Sequence, residues 1–219
     1  MTSMQEMTDS FRNIFKSQRL VYTALEQTDR CRDFWWRCRA SNLVNRSLIG
    51  PEQPTPPSRA ESDKQLEQTV DGGRKPYLAV LVCLPAPTTA DAAAGDQGTG
   101  KSEAEAEPEP EPVGFLVLNK SFPECAAYHV GFLEEHQNKG YGREAIGWAA
   151  DYAFRWCNMH RLSIGALAYN ERALHLYASM GFVQDSRMRS CFYINGSWHD
   201  LVEFSMLREE WEKLRDVSA

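Results

Sequence analysis

The sequence predicts one α+β domain, and three observations carry the prediction. Two apolar runs of strand length, YLAVLVCL at 77–84 and VGFLVL at 113–118, suit the interior of a sheet. A helix with an apolar stripe at spacings of three and four follows a glycine-containing turn at 137–142. Asn195-Gly196 separates two strand-like stretches, 190–194 and 198–206, and Asn-Gly is the strongest short signal for a hairpin.

In chain order, 1–17 reads as an N-terminal tail and 18–211 as the domain, with 212–219 as its C-terminal end. Residues 19–26 alternate Leu20, Tyr22 and Ala24 against Val21, Thr23 and Leu25, as in a first strand. Asp29 opens a helix carrying Phe34, Trp35 and Cys38. Residues 50–76, rich in Pro, Ser and charge, read as an irregular connection with one short helix near 63–70. Between the strands at 77–84 and 113–118, residues 86–112 cannot bury enough apolar surface to offset chain entropy, so they read as a disordered insertion. Such an insertion is tolerated in a hairpin because loop-closure entropy grows slowly with length. Residues 128–134 read as the central strand, 141–157 as a helix with Ala145, Trp148, Ala149, Tyr152 and Trp156 on one stripe, and 162–169 as the next strand. Asn170 caps a helix at 171–180 that Gly181 ends, and a last helix begins near Arg208.

At 219 residues and 42% hydrophobic, the chain holds a full core, and no apolar run approaches the roughly 20 residues of a membrane span. The opening MTSMQEMTDSFRNIF lacks the apolar core of a signal peptide, and Glu6 and Asp9 do not suit a transit sequence, so a cytoplasmic location is expected. Six scattered cysteines without a Cys-x-x-Cys pair fit free thiols better than a disulfide framework or a metal site. Residues 86–112 carry seven acidic side chains against Lys101, an excess equal to the whole chain's net charge of −6. The rest is balanced, which leaves no nucleic-acid footprint and points to neither a nucleic-acid nor a membrane partner. Within 86–112, Gly95, Gly100, Lys101 and Ser102 satisfy a nucleotide-binding P-loop pattern. That pattern needs a strand before it and a helix after it, whereas alanines precede and alternating Glu and Pro follow.

The turn Gln137-Asn138-Lys139-Gly140-Tyr141-Gly142 joins a strand to a helix, so several backbone N–H groups face outward at the positive end of the helix dipole. Such a turn binds phosphate, and Gly140 and Gly142 let the backbone approach a ligand while Lys139 adds a cation at the rim. An ordinary tight turn is the alternative. The spacing resembles the Gln/Arg-x-x-Gly-x-Gly/Ala signature of the GNAT superfamily of N-acetyltransferases, where the loop holds the pyrophosphate of coenzyme A. The run Asn170-Glu171-Arg172-Ala173-Leu174-His175-Leu176-Tyr177-Ala178-Ser179-Met180-Gly181-Phe182 resembles a second GNAT segment, with its Asn, its Tyr seven residues on, and its Gly-Phe pair. The closing stretch from Phe192 to Trp211 is similar to the branch that includes the RimJ and RimL ribosomal-protein and spermidine acetyltransferases. Three positions depart from the pattern: Asn138 and His129 stand where glycine is common, and Ala173 where serine is.

The resemblance implies the GNAT (acyl-CoA N-acyltransferase) fold, a mixed, mostly antiparallel sheet flanked by helices. It implies an acyltransferase that moves acetyl from acetyl-CoA to a primary amine, whether a small amine, a polyamine or a protein N-terminus. It further implies that Phe132 and Leu133 offer backbone groups to the pantetheine arm and carbonyl, and that the 137–142 turn, Asn170 and Ala173 hold the cofactor. Tyr177 is then the general acid for the leaving thiolate, since a phenol with a pKa near 10 is still a donor at pH 7. For the base, His129, Glu134, Glu135 and Asp200 are the candidates, beside water. Trp35 or Trp36 would flank the acceptor. A GNAT-fold module that binds coenzyme A without transfer is the alternative function.

Overall fold

A computed structural model of the chain describes residues 11–40, 56–72, 76–86 and 109–215, together with Met4 and Thr8. The P-loop-like residues Gly95 to Ser102 lie outside the described residues. Among the described residues, strands β1 (Val21–Ala24), β2 (Leu78–Leu84), β3 (Glu111–Phe122), β4 (Cys125–Phe132), β5 (Arg161–Leu167), β6 (Val183–Ile194) and β7 (Ser197–Leu207) form one sheet in the order β1-β2-β3-β4-β5-β7-β6. All neighbours are antiparallel except β4 and β5, so the sheet is mixed and mostly antiparallel.

Helices cover both faces. One face carries α3 (Tyr141–Trp156), α4 (Glu171–Ser179) and α5 (Arg208–Leu214), and the other carries α1 (Asp29–Trp35) and α2 (Arg59–Asp71). This explains the unbroken apolar runs of β2 and β3. Val80, Val82, Leu116 and Leu118 face Ile146, Ala149 and Phe154 of α3, while Leu81, Cys83, Phe115 and Val117 face Phe34, Trp35, Cys38 and Leu66. A sheet with one wet face would have alternated instead.

Several boundaries differ from the sequence expectation. Strand β1 is shorter, and α1 starts from a Thr28 cap, whose hydroxyl accepts from the Cys31 N–H, then continues as one π-helical turn, Trp36–Ala40. Helix α2 begins at Arg59 rather than near 63, because Ser58 caps it. Strand β3 starts at Glu111, inside the stretch expected to be disordered. Glu111 pairs with Leu84, and Arg30 holds the segment through Glu109 at 2.6 Å and through the Pro110 carbonyl. Strand β4 ends at Phe132, two residues early. Residues 11–17, expected as tail, pack along α3. Phe11 meets Trp156 at 4.9 Å between ring centroids, and the Trp148 indole N–H donates to the Ile14 carbonyl at 2.8 Å.

Candidate active site

Strands β4 and β5 pair only at Cys125–Arg161, Ala126–Leu162 and Ala127–Ser163, and beyond that they diverge. The opening is a cleft of about 510 Å³ between the end of β4, the start of α3 and helix α4, within the size range of small-molecule sites. Val130, Gly131 and Phe132 form one wall, and Asn170, Ala173, Leu176 and Tyr177 form another.

The 137–142 turn closes one end. Asn138 (φ 60°) and Gly140 (φ 83°) both occupy the left-handed region, and Gly140 is the N-cap of α3 with no side chain capping from in front. The N–H groups of Tyr141, Gly142 and Arg143 therefore have no helical acceptor. On the cleft side, β4 and Arg172 hold the turn. Gln137 donates through Nε2 to the Phe132 carbonyl at 3.2 Å, tying the turn back to β4. Arg172, in the first turn of α4, donates to Gln137 Oε1 at 2.9 Å and to Asn138 Oδ1 at 2.8 Å. Asn170 caps α4 by accepting the Ala173 N–H, so Ala173 contributes a small side chain rather than an amide.

Phe132 reaches the cleft because Gly114 sits opposite it in the β3–β4 register. A Cβ built on Gly114 would lie 2.5 Å from the Phe132 ring and 2.8 Å from the Gly131 carbonyl oxygen. Replacing Gly114 with Ala should destabilise the chain by about 1–3 kcal/mol through overpacking. The check is thermal melting, where each kcal/mol lowers Tm by about 2–4 °C at this chain length.

Tyr177 lies on the cleft side of α4, 6% exposed, with its ring set against Phe182 and, edge-on, Phe204. Burial pushes its phenol up to about 12. A group raised in this way keeps its proton through neutral and moderately alkaline pH.

Phe132, Gln137, Asn138, Gly140, Tyr141, Gly142, Asn170, Ala173 and Tyr177 are thus brought together around one cleft. Leu133 and Lys139 are not. Leu133 is 5% exposed and packs in the α1–α2 core. Its N–H donates to the Val113 carbonyl and its own carbonyl accepts from His136, so its main chain is engaged within the fold. Lys139 is exposed, and its carbonyl accepts from Arg19 at 3.0 Å.

Of the candidate bases, Glu134 is exposed and outside the cleft lining, and the other three are engaged elsewhere. His129 faces the α1 side, edge-on to Phe115, and burial followed by the adjacent Arg39 charge brings its imidazole down to about 3. Arg39 Nη1 lies 3.0 Å from His129 Nε2. A guanidinium only donates, so that nitrogen's lone pair is taken. Glu135 pairs with Arg37 at 3.4 Å. Asp200 accepts the Ser190 N–H at 2.9 Å and pairs with Arg187 at 2.7 Å, which together hold its carboxyl below the usual range, and it serves to fix a bulge in β6. Trp35 is fully buried against Phe115 and Arg39, while the Trp36 ring lies under Arg59.

Residues 86–182 match the Acetyltransferase (GNAT) family model. The spermidine N(1)-acetyltransferase of Vibrio cholerae serotype O1 is 33% identical over 86 residues, which are 39% of this chain and 50% of that protein. The ribosomal protein uS5 alanine N-acetyltransferase of Escherichia coli K12 is 29% identical over 96 residues, 43% of this chain and 48% of that one. The chain thus spans about half the length of these curated relatives. Over the whole structure, a crystal structure of spermidine N-acetyltransferase from Vibrio cholerae in complex with CoA and spermine superimposes with a TM-score of 0.66. It covers 89% of this chain and 99% of that one at 22% identity. The fold is that of the GNAT acetyltransferases.

Within this GNAT fold, Arg143, Arg172, His136, His175 and Ser179 also line the cleft, although no sequence motif assigns them a role there. A signal was present for the two arginines. Each stands in the first turn of a helix, where the dipole disfavours a cation. Arg172 meets the turn side chains and Arg143 bonds the Ser179 hydroxyl. His136 Nδ1 is buried without a partner among the described residues, and no spacing in the sequence marks it.

Proposed function

We propose that this protein is an acetyl-CoA-dependent N-acetyltransferase acting on a primary amine by direct attack. The observation that carries the reading is the cleft where β4 and β5 part. It has an anion-compatible turn at one end and a buried phenol in its wall. Arg143 and Arg172, two cations at helix starts around one cleft, fit a ligand that carries phosphate.

The residues present fit coenzyme A. The N–H groups of Tyr141, Gly142 and Arg143, with Arg172, would hold the diphosphate. Phe132, Leu176 and the small Ala173 would line the pantetheine path. When bound, acetyl-CoA supplies an activated acyl thioester. Tyr177 offers the proton that the departing sulfur needs, and its raised pKa keeps that proton in place at neutral pH. Because His129, Glu135 and Asp200 are engaged and Glu134 stands outside the cleft lining, the amine's proton passes to water.

The relatives act, by name, on spermidine and on a ribosomal protein's alanine. We infer an amine acceptor of this range, a small amine, a polyamine or a protein N-terminus, and a place beside the RimJ/RimL-like branch. The engagement of His129, Glu135 and Asp200 favours a second reading, a module that binds coenzyme A without transfer. Incubation with radiolabelled acetyl-CoA and a pool of polyamines, amino-terminal peptides and small amines separates the two. An acetyltransferase labels at least one amine. A binding module gives heat on calorimetric titration with coenzyme A yet leaves every amine unlabelled, and absence of binding sinks both readings.

A further inference from the structure

We propose that Arg19, outside the cleft and outside every motif of the sequence, is a positioning residue that sets the direction of the phosphate-binding turn. The proposal rests on the coenzyme A reading above and adds to it the device that holds the turn in its binding conformation.

Arg19 lies behind the turn, on the segment that leads into β1. Its Nη1 donates to the Lys139 carbonyl at 3.0 Å, its Nε to Glu144 Oε2 at 2.8 Å, and its backbone N–H to Glu144 Oε1 at 2.6 Å. The guanidinium lies 4.9 Å from the centre of the Tyr141 ring, and Ser17 donates a further bond to Glu144 Oε1 at 2.7 Å. One side chain therefore grips the chain before, at and after the start of α3. Glu144 is well enclosed, with 13% of its side chain exposed. Against the upward push of burial, the bonds from Ser17 and Arg19 hold its carboxyl below the usual range, so the pair is ionic at neutral pH.

The consequence follows from the peptide unit. In a planar trans peptide the C=O and N–H point in opposite directions. With the Lys139 carbonyl held toward Arg19, the Gly140 N–H points away from Arg19. Gly140, with φ 83° and no Cβ, is the residue most able to let that peptide flip. A flipped peptide would present a carbonyl oxygen where an anion is to sit. Arg19 opposes the flip, and it also neutralises Glu144, whose charge one turn from the anion would otherwise repel it.

The test is calorimetry with coenzyme A on the full chain, below the melting transition of every variant compared. Arg19→Ala should weaken coenzyme A about tenfold, the scale of lost charge-assisted bonds, and Arg19→Lys, which keeps the charge but loses the fork, should fall between. Adding Glu144→Gln to Arg19→Ala should recover part of the affinity, because it removes the unpaired charge. General loosening of the fold would produce no such recovery. Amide exchange of the free protein should quicken in Arg19→Ala from Glu144 onward in the first bonded turn of α3. Unchanged affinity in Arg19→Ala, a double variant weaker than the single one, or unchanged exchange would each overturn the proposal. If the unaltered chain binds no coenzyme A, the acetyl-transfer reading fails, and the exchange measurement still decides whether Arg19 holds the turn.

Discussion

Tyr177→Phe should lower kcat by about a hundredfold, the lower range for loss of a general acid, while coenzyme A affinity changes by less than about twofold. The ring keeps its contacts with Phe182 and Phe204, and only the hydroxyl is lost, so the cleft wall keeps its shape. The phenol's pKa, raised to about 12 by burial, fixes the sign of the pH dependence. Its acid form is present throughout neutral pH and is lost only as pH rises through about 12. In the unaltered protein, then, a change in rate near neutrality reports the acceptor amine, whose neutral form grows with pH, rather than Tyr177. In Tyr177→Phe the rate should still rise with pH at the lowered level. Steady-state kinetics of both forms across pH 6–10, with calorimetry for affinity, is the check. Equal turnover would mean that the thiolate departs without this acid.

Much of this arrangement is legible in the sequence because it is local. The turn at 137–142 and the Asn170 cap depend on residues a few positions apart, and both stand where their glycines and asparagine predict. Strands β2 and β3 announce themselves because both faces are covered. Strand β6 does not. Over Gln184, Asp185, Ser186 and Arg187 its side chains are polar, and β7 recruits it through main-chain pairing that leaves little trace in side-chain pattern. The π-helical turn after Trp35 is equally silent. What sequence periodicity cannot show is pairing over distance. Arg19 and Glu144 are 125 residues apart, and His129 looks like a base until Arg39, from another element, occupies its ring nitrogen.

Gly140→Val should abolish measurable coenzyme A binding at concentrations that saturate the unaltered protein, while Gly142→Ala should leave it intact. The two glycines look alike in the sequence and differ in conformation. Gly140 has φ 83°, where a side chain costs about 1–2 kcal/mol by its clash with the backbone, and valine's branch at Cβ adds to that. A Cβ there would also lie 3.1 Å from Arg19 Nη2, so relief must come from turning the peptide or displacing the arginine. Turning the peptide takes the Gly140 N–H out of line with Tyr141 and Gly142, so that an anion held by converging donors loses them together, and displacing the arginine frees the peptide to turn. Gly142 is helical and does not have positive φ. A Cβ on it meets Phe132 and Leu176 at 3.7 and 3.8 Å, ordinary contact distances, and alanine within a helix is favoured over glycine by about 1 kcal/mol. Calorimetric titration of both variants with coenzyme A, beside their melting temperatures, tests the contrast. Normal affinity in Gly140→Val would show that the turn joins a strand to a helix and grips nothing.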